Sequence, residues 1–234
     1  MSDLFGEEQR PADDRLARIH VLLLERFGRP APREVLDPLT QFIYSLLASR
    51  TKTEVSDQVL RELRARYGSW DELRDAPLAE IERAIEAVTF PEQKALHLKA
   101  SLQQIAARYG TLTLDFLAQY RTDKIRSWLE QFPGVGPQVS AAVVNFSTLR
   151  RRALCVDAHH LRVTQRLGLT HRADAAVTEE RLMRLVPADW SAEMLDEHHS
   201  LVKLLGQTVC VFEEPKCGGC PLVGICPTGA KRVV

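Results

Sequence analysis

The chain has 234 residues, enough for one large domain or two modest ones. Hydrophobic residues make up 45% and charged residues 26%, ordinary values for a globular protein, and no apolar run reaches membrane-spanning length. Lys+Arg and Asp+Glu balance at 31 each, so net charge does not predict nucleic-acid binding, and a polyanion-binding face requires local segregation of charge. The acidic N-terminus does not resemble a signal peptide, and we therefore expect a cytoplasmic protein.

Helical periodicity of apolar residues runs through almost the whole chain. Two apolar stripes, at 55–67 and 95–109, are each followed by a glycine, Gly68 and Gly110, which is a common helix stop. Ser69 and Glu72 then form a capping box for a short helix. Further stripes lie at 16–27, 39–47 and 195–205. Alternating strand patterns are absent, so the predicted fold is all-α.

A turn at 132–137, with the sequence Phe-Pro-Gly-Val-Gly-Pro, joins two predicted helices. Thr122 is expected to cap the first helix, and Pro137 suits the first turn of the second. Gly134 and Gly136 permit positive φ or close backbone approach. Such a turn can point backbone N–H groups and a helix N-terminus at a phosphate without any basic side chain. A plain connection between helices is the alternative.

Four of the five cysteines lie close together near the C-terminus with the spacing C-x6-C-x2-C-x5-C, and these are Cys210, Cys217, Cys220 and Cys226. Four thiolates so near one another can converge on a metal centre, whereas a disulfide pair does not suit a cytosolic chain. Structural zinc sites usually have two paired knuckles, and here only Cys217 and Cys220 form one. The unequal spacing favours an iron–sulfur cluster, with zinc as the alternative. Cys155 lies in an apolar stretch and is predicted to be core.

Three of these motifs together resemble the endonuclease III family of helix-hairpin-helix DNA glycosylases. They are Pro-Gly-Val-Gly at 133–136, Val-Asp-Ala-His at 156–159, and the cysteine spacing. The resemblance implies that the hairpin residues Gly134, Val135 and Gly136 contact DNA. It also implies that the four cysteines hold a [4Fe–4S] cluster.

The fold implied by this resemblance consists of two helical domains flanking a DNA-binding cleft. A six-helix domain containing the hairpin is expected at 31–150. The cluster domain is expected to combine 1–30 with 151–234.

The resemblance assigns roles to Asp157 and Gln138. Asp157 corresponds to the family's essential aspartate, which stabilises positive charge on the sugar or activates the nucleophile, although its local role is a helix N-cap. Gln138 stands where bifunctional members carry a lysine that forms a Schiff base with the sugar. An amide cannot form an imine, and no lysine occurs between Lys124 and Lys203. Base excision by water, with little or no lyase activity, is therefore predicted.

Three further residues correspond to DNA-contacting positions. Arg50 falls where relatives usually have a glutamine that fills the gap left by the flipped nucleotide; otherwise it is a helix-end arginine that touches carbonyls. Phe90 matches a wedge position that separates base pairs, with packing in the core as the alternative. Lys216, between Cys210 and Cys217, can reach a phosphate.

The resulting hypothesis is a monomeric, nucleoid-associated DNA glycosylase that excises damaged, oxidised pyrimidines from double-stranded DNA in base-excision repair. Alternatives within enzymes are a bifunctional glycosylase using another amine and an adenine- or mismatch-directed glycosylase. The alternative outside enzymes is a catalytically weak iron–sulfur protein that binds lesions.

Overall fold

The computed structural model describes residues 14–171 and 174–233. Its α-helices are α1 (Arg15–Phe27), α2 (Pro38–Ala48), α3 (Thr53–Arg66), α4 (Trp70–Asp75), α5 (Leu78–Ala84), α6 (Pro91–Tyr109), α7 (Thr122–Leu129), α8 (Pro137–Phe146), α9 (Ala158–Arg166), α10 (Ala175–Met183), α11 (Ala192–Thr208) and α12 (Pro227–Ala230). Short 3-10 helices occupy Asp115–Gln119, Cys217–Gly219 and Val223–Ile225. Within these residues the only β pairing is one bridge between Leu36 and Ser147. The all-α prediction is confirmed.

Several helix ends follow directly from local sequence. Ser69 caps α4 by accepting a hydrogen bond from the Glu72 N–H, and the Glu72 carboxylate accepts one from the Gly68 N–H in return. Gly110 ends α6 with φ +70°, as its position predicts. The prediction that Thr122 caps α7 is wrong, because Arg121 occupies the N-cap position and makes no side-chain cap bond.

The largest hydrophobic core is formed by α2 to α8. Fully buried side chains from α2, α3 and α6 fill its centre, and α2 packs against α8; they include Phe42, Ile43, Leu47, Leu63, Leu98, Leu102 and Ile105. Cys155 joins this core as predicted. The segment 31–150 contains seven α-helices, because the short α4 and α5 are separate elements.

Two smaller cores involve α1 and the C-terminal helices. One joins α1, α9 and α11 and reaches the clustered cysteines; its buried members include Ile19, Leu23, Val163, Leu201 and Leu205. The other joins α1, α10 and α11; its buried members include Leu16, Leu154, Leu182, Trp190 and Leu195. Of the N-terminal segment expected in the second domain, residues 1–13 lie outside the described residues. No described helix combines the length and apolar character needed to cross a membrane.

Candidate active site and cysteine pocket

The hairpin between α7 and α8 uses its two glycines differently. Gly134 has φ +78°, and a Cβ added there would overlap Nδ1 of His97, so any other residue would need a strained backbone and a shift of the histidine ring. Gly136 has φ −113° and ψ −172°, an ordinary extended conformation, and no atom lies within 4 Å of an added Cβ. Positive φ is therefore found at Gly134, whereas Gly136 offers open space at the start of α8.

Val135, between the two glycines, faces inward. Its side chain is buried in the largest core, and its N–H donates to the carbonyl of Phe132 (3.1 Å). Neither group is therefore available to DNA in this conformation. A hairpin contact with phosphate has to come from the neighbouring glycines and the first turn of α8, where Pro137 has no N–H to donate.

Gln138 lies at the second position of α8 and is half-buried. Its backbone carbonyl accepts a weak hydrogen bond from the thiol of Cys155 (3.6 Å), which places the start of α8 beside the segment leading to Asp157. Its side-chain amide makes no hydrogen bond within the described residues, and can therefore bind water or substrate. Burial raises the pKa of the Cys155 thiol, which excludes this cysteine as a nucleophile.

Asp157 is the N-cap of α9 and is buried, with 8% of its surface exposed. Its Oδ1 accepts from the His160 N–H at 2.9 Å and lies 3.4 Å from Nδ1 of His160. Burial alone would raise the pKa of Asp157, but the hydrogen bonds and charge of His160, with His199 beyond it, outweigh burial and hold the pKa well below its usual range. The side chain is therefore a carboxylate, and its Oδ2 accepts no hydrogen bond from the described residues.

Buried histidines lie beside this carboxylate. His160 stacks on His199 across α9 and α11, with ring centroids 4.9 Å apart and planes 4° apart. His199 Nδ1 lies 2.8 Å from the carbonyl oxygen of Cys155. The contact between His160 and Asp157 was missed from the sequence, although their three-residue spacing at a helix start could have revealed it.

Two loops present the residues predicted to enter the duplex. Arg50 has φ +57° and Phe90 has φ +58°, left-handed conformations that cost non-glycine residues about 1–3 kcal/mol each. Phe90 is 53% exposed, so the alternative of core packing is excluded. The Arg50 side chain is exposed and has no polar partner in the described chain; the carbonyls at the end of α2 are bound by Lys94 instead.

The four clustered cysteines line one pocket, together with Arg166 and Lys216 among others. None of the five cysteines forms a disulfide. Among the described residues, no three His, Cys, Asp or Glu side chains are grouped to hold a single metal ion. A cubane cluster instead binds each thiolate to a different iron atom, so it requires four thiols around a shared pocket. The donor set and its placement fit such a cluster.

Two arginines connect α9 to the loop that precedes Cys217. Arg166 donates to the carbonyls of Val211 (2.6 Å) and Phe212 (2.7 Å) and lies 3.4 Å from Sγ of Cys210. Arg162 donates to the carbonyl of Cys210 (2.9 Å). Since α9 begins at Asp157, one helix joins the candidate catalytic carboxylate to the cysteine pocket.

Lys216 is exposed on this loop, and its backbone N–H donates to the carbonyl of Val209 (2.9 Å), which fixes the chain at that point. Glu213 and Glu214, three and two residues before it, are also exposed. Their negative charges oppose an attraction of this loop to phosphate. Of these three exposed residues, only Lys216 can therefore attract a phosphate.

Known proteins resemble this chain in sequence and in fold. The family model for the HhH-GPD superfamily base excision DNA repair protein matches residues 43–188, which include the hairpin, Gln138 and Asp157. Endonuclease III of Bacillus subtilis (strain 168) is 28% identical over 198 residues, which cover 84% of each chain. A non-covalent endonuclease III–DNA complex has a TM-score of 0.78 at 22% identity, covering 96% of this chain and 99% of that one. A thermostable thymine-DNA glycosylase has a TM-score of 0.74 at 20% identity, covering 95% and 100%.

Proposed function

Because this chain belongs to the HhH-GPD superfamily of base excision DNA repair proteins and is an endonuclease III-type DNA N-glycosylase, we propose that it hydrolyses the glycosidic bond of oxidised pyrimidines in double-stranded DNA without cleaving the strand. The observation that carries the proposal is that the chain has an ionised Asp157 together with an amide, Gln138, at the position where an amine would be needed for a Schiff base. We further propose that the protein acts as a monomer associated with the nucleoid.

In the proposed reaction, water attacks the sugar carbon as the bond to the base breaks. Positive charge develops on the sugar, and the Asp157 carboxylate stabilises it through the oxygen that is not used in capping α9. The amide of Gln138 can accept a hydrogen bond from the attacking water through its oxygen or donate to the base through its nitrogen. The damaged base has to leave the helical stack before either residue can act.

The ammonium groups of two lysines on other helices are hydrogen-bonded within the fold. Lys94 is buried and donates three hydrogen bonds, and Lys203 on α11 donates to the hydroxyl of Thr53 (2.9 Å). A Schiff base needs a free, unprotonated amine beside the sugar. These contacts support hydrolysis over lyase chemistry.

DNA binding is proposed to use three surfaces. The backbone at Gly134 and Gly136 would approach a phosphate, while Arg50 and Phe90 enter the duplex and Lys216 binds a second phosphate. We propose that these surfaces line a cleft between a domain at 31–150 and one formed by the N-terminal segment with 151–234. The separate hydrophobic cores support this division.

We propose that Cys210, Cys217, Cys220 and Cys226 hold a [4Fe–4S] cluster, as endonuclease III-type proteins generally do. When bound, the cluster supplies a covalent cross-link among the four ligands rather than a reacting group. Arg162 and Arg166 bind the carbonyls of this loop and so relate its position to that of α9.

The proposal is tested with a duplex that contains thymine glycol, scoring base loss and strand nicking separately. We expect base loss that is revealed as a nick only after alkali treatment. Borohydride is expected to trap no covalent complex, and Gln138→Lys is the matched variant in which trapping can be restored. A borohydride-stable adduct of the unmodified protein would show that an amine attacks the sugar.

A further inference from the structure

A buried lysine on α6 binds the end of α2. Lys94 is 8% exposed, and its ammonium donates to the carbonyls of Leu47 (2.6 Å) and Ser49 (2.7 Å) and to the hydroxyl of Thr51 (2.9 Å). An ammonium has three N–H donors, and all three are used here. Every acceptor belongs to the end of α2 or to the loop that carries Arg50.

The lysine takes the place of an ordinary helix cap. The last carbonyls of a helix have no partner within the helix, and a left-handed glycine usually helps to satisfy them. Ser49 at the C-cap of α2 has φ −55° and makes no such bond. Burial lowers the pKa of Lys94 to about 8, so the fold holds an ammonium at a site that penalises its charge.

The same loop is bound to the loop of Phe90. The Thr89 hydroxyl donates to the carbonyl of Arg50 (2.9 Å), and the Thr89 N–H donates to the hydroxyl of Thr51 (3.1 Å). Thr51 therefore accepts from both Thr89 and Lys94. Left-handed residues persist only where surrounding contacts fix them, and these bonds surround the two exposed left-handed residues of the loops.

We propose that Lys94 is a positioning residue that holds Arg50 and Phe90 as one rigid two-pronged unit for insertion into the duplex. This inference rests on the proposed function, since it presumes that both residues enter DNA. We propose that Lys94 affects DNA insertion by fixing the loops of Arg50 and Phe90, and not by changing the overall stability of the protein. Removing its ammonium leaves the prongs present and still joined by the Thr89 hydrogen bonds, but it removes the three bonds that fix the Arg50 loop to α6.

The chain contains a matched control on the same helix. Lys99 also binds the end of a helix, because its ammonium donates to the carbonyls of Arg74 (2.9 Å) and Ala76 (2.6 Å) after α4. None of its hydrogen bonds reaches the loops of Arg50 or Phe90. Lys94→Met and Lys99→Met thus remove equivalent caps at two places, one of which involves the prongs.

The experiment uses a duplex with a tetrahydrofuran abasic-site analogue opposite 2-aminopurine, so that the result does not depend on lesion preference. Anisotropy measures affinity, and 2-aminopurine fluorescence at saturating protein measures insertion. We expect wild type and Lys99→Met to increase the fluorescence equally. Lys94→Met should bind about tenfold more weakly, the scale of a lost preorganisation, and should increase the fluorescence less even when saturated.

Two additional variants keep the test independent of folding. Thr51→Val removes the shared acceptor while Lys94 keeps its bonds to the α2 carbonyls, and it should reproduce the fluorescence loss with an unfolding midpoint close to that of wild type. Adding Lys94→Met to Phe90→Ala should cost less than Lys94→Met costs alone, because both changes act on the same unit.

Equal fluorescence in Lys94→Met, Thr51→Val and Lys99→Met would overturn the role of Lys94, as would full additivity with Phe90→Ala. If instead Phe90→Ala and Arg50→Ala both bind and increase the fluorescence like wild type, duplex insertion by the prongs is wrong and the proposed DNA-binding surface fails. The two failures are therefore distinguishable.

Discussion

The two oxygens of Asp157 have different environments. Oδ1 accepts the hydrogen bond that caps α9, whereas Oδ2 accepts none from the described chain. One carboxylate can therefore stabilise the start of a helix and still offer an oxygen to the sugar. The N-cap role and the proposed catalytic role of Asp157 are therefore compatible in this geometry.

Asp157→Asn separates these two roles. Asparagine is as good an N-cap as aspartate, so α9 should stay capped, but the interactions with His160 that favour the carboxylate are lost and the free energy of unfolding should fall. Base release should fall at least about 100-fold, because the amide carries no charge to stabilise the developing cation. Single-turnover excision and urea unfolding measure the two effects. Normal excision by a stable variant would mean that the chemistry lies elsewhere.

Sequence reasoning named candidate residues but not their conformations. Motif positions singled out Arg50, Phe90 and Gln138. The left-handed backbone of Arg50 and Phe90 could not be predicted, because no glycine marks it and tertiary hydrogen bonds impose it. Lys94 resembles any helix-surface lysine in the sequence; only the packing of α6 against the end of α2 buries it.

In the hairpin, Gly136 can accept a side chain and Gly134 cannot accept one without strain. Gly134→Ala combines a left-handed backbone, about 1–2 kcal/mol, with overlap on His97, about 1–3 kcal/mol, so a loss of about 2–5 kcal/mol is expected. Gly136→Ala meets no atom within 4 Å and has negative φ, and should change stability by less than about 0.5 kcal/mol.

Thermal and urea unfolding of both variants measure this difference, and affinity for undamaged duplex provides a second measurement. Gly136→Ala should weaken DNA binding while the protein stays folded, since its methyl group occupies the open space before α8. Equal stability of the two variants would contradict the contact with His97.

Helix positions were predictable because apolar periodicity and flanking residues act locally. The glycine after α6, the capping box of α4 and Pro137 at the start of α8 each matched. Thr122 failed as a cap because the residue before it takes the extended conformation that a cap requires.

At the scale of the whole molecule, buried histidines make folding sensitive to acid. Burial, reinforced by neighbouring histidines, holds the pKa of His198 and His199 well below the ordinary value. In the unfolded chain they bind protons near pH 6.5, so below that pH the unfolded state takes up protons that the folded state excludes. Stability should therefore fall as the pH falls from about 6.5, by up to about 1.4 kcal/mol per pH unit for each histidine.

Urea unfolding between about pH 7 and about pH 5 measures this slope, and His198→Gln, which does not titrate, should reduce it by up to one proton's contribution. The Nδ1 atom of His20 lies 3.3 Å from Nδ1 of His198. His20 is still present in the His198→Gln variant, so the comparison changes only His198. An unchanged slope would mean that His198 already accepts a proton in the folded protein.

The fold class was predictable from the sequence, but the contacts between residues far apart in the sequence were not. His20 and His198 touch although 178 residues separate them, and α9 reaches the cysteine loop through Arg162 and Arg166. Helical periodicity states which face of a helix is buried and not which helix covers it. The cysteine spacing indicated convergence on a pocket, which the structure contains, without indicating that Asp157 begins the helix attached to it.

The capping bond at Asp157 also bears on how such a protein can evolve. Aspartate and asparagine codons differ by one nucleotide, and either side chain holds the start of α9. Under the proposed catalytic role of Asp157, a descendant with asparagine there would keep the N-cap of α9 while losing base release. A protein that binds damaged DNA without excising the base would then lie one point mutation from the enzyme.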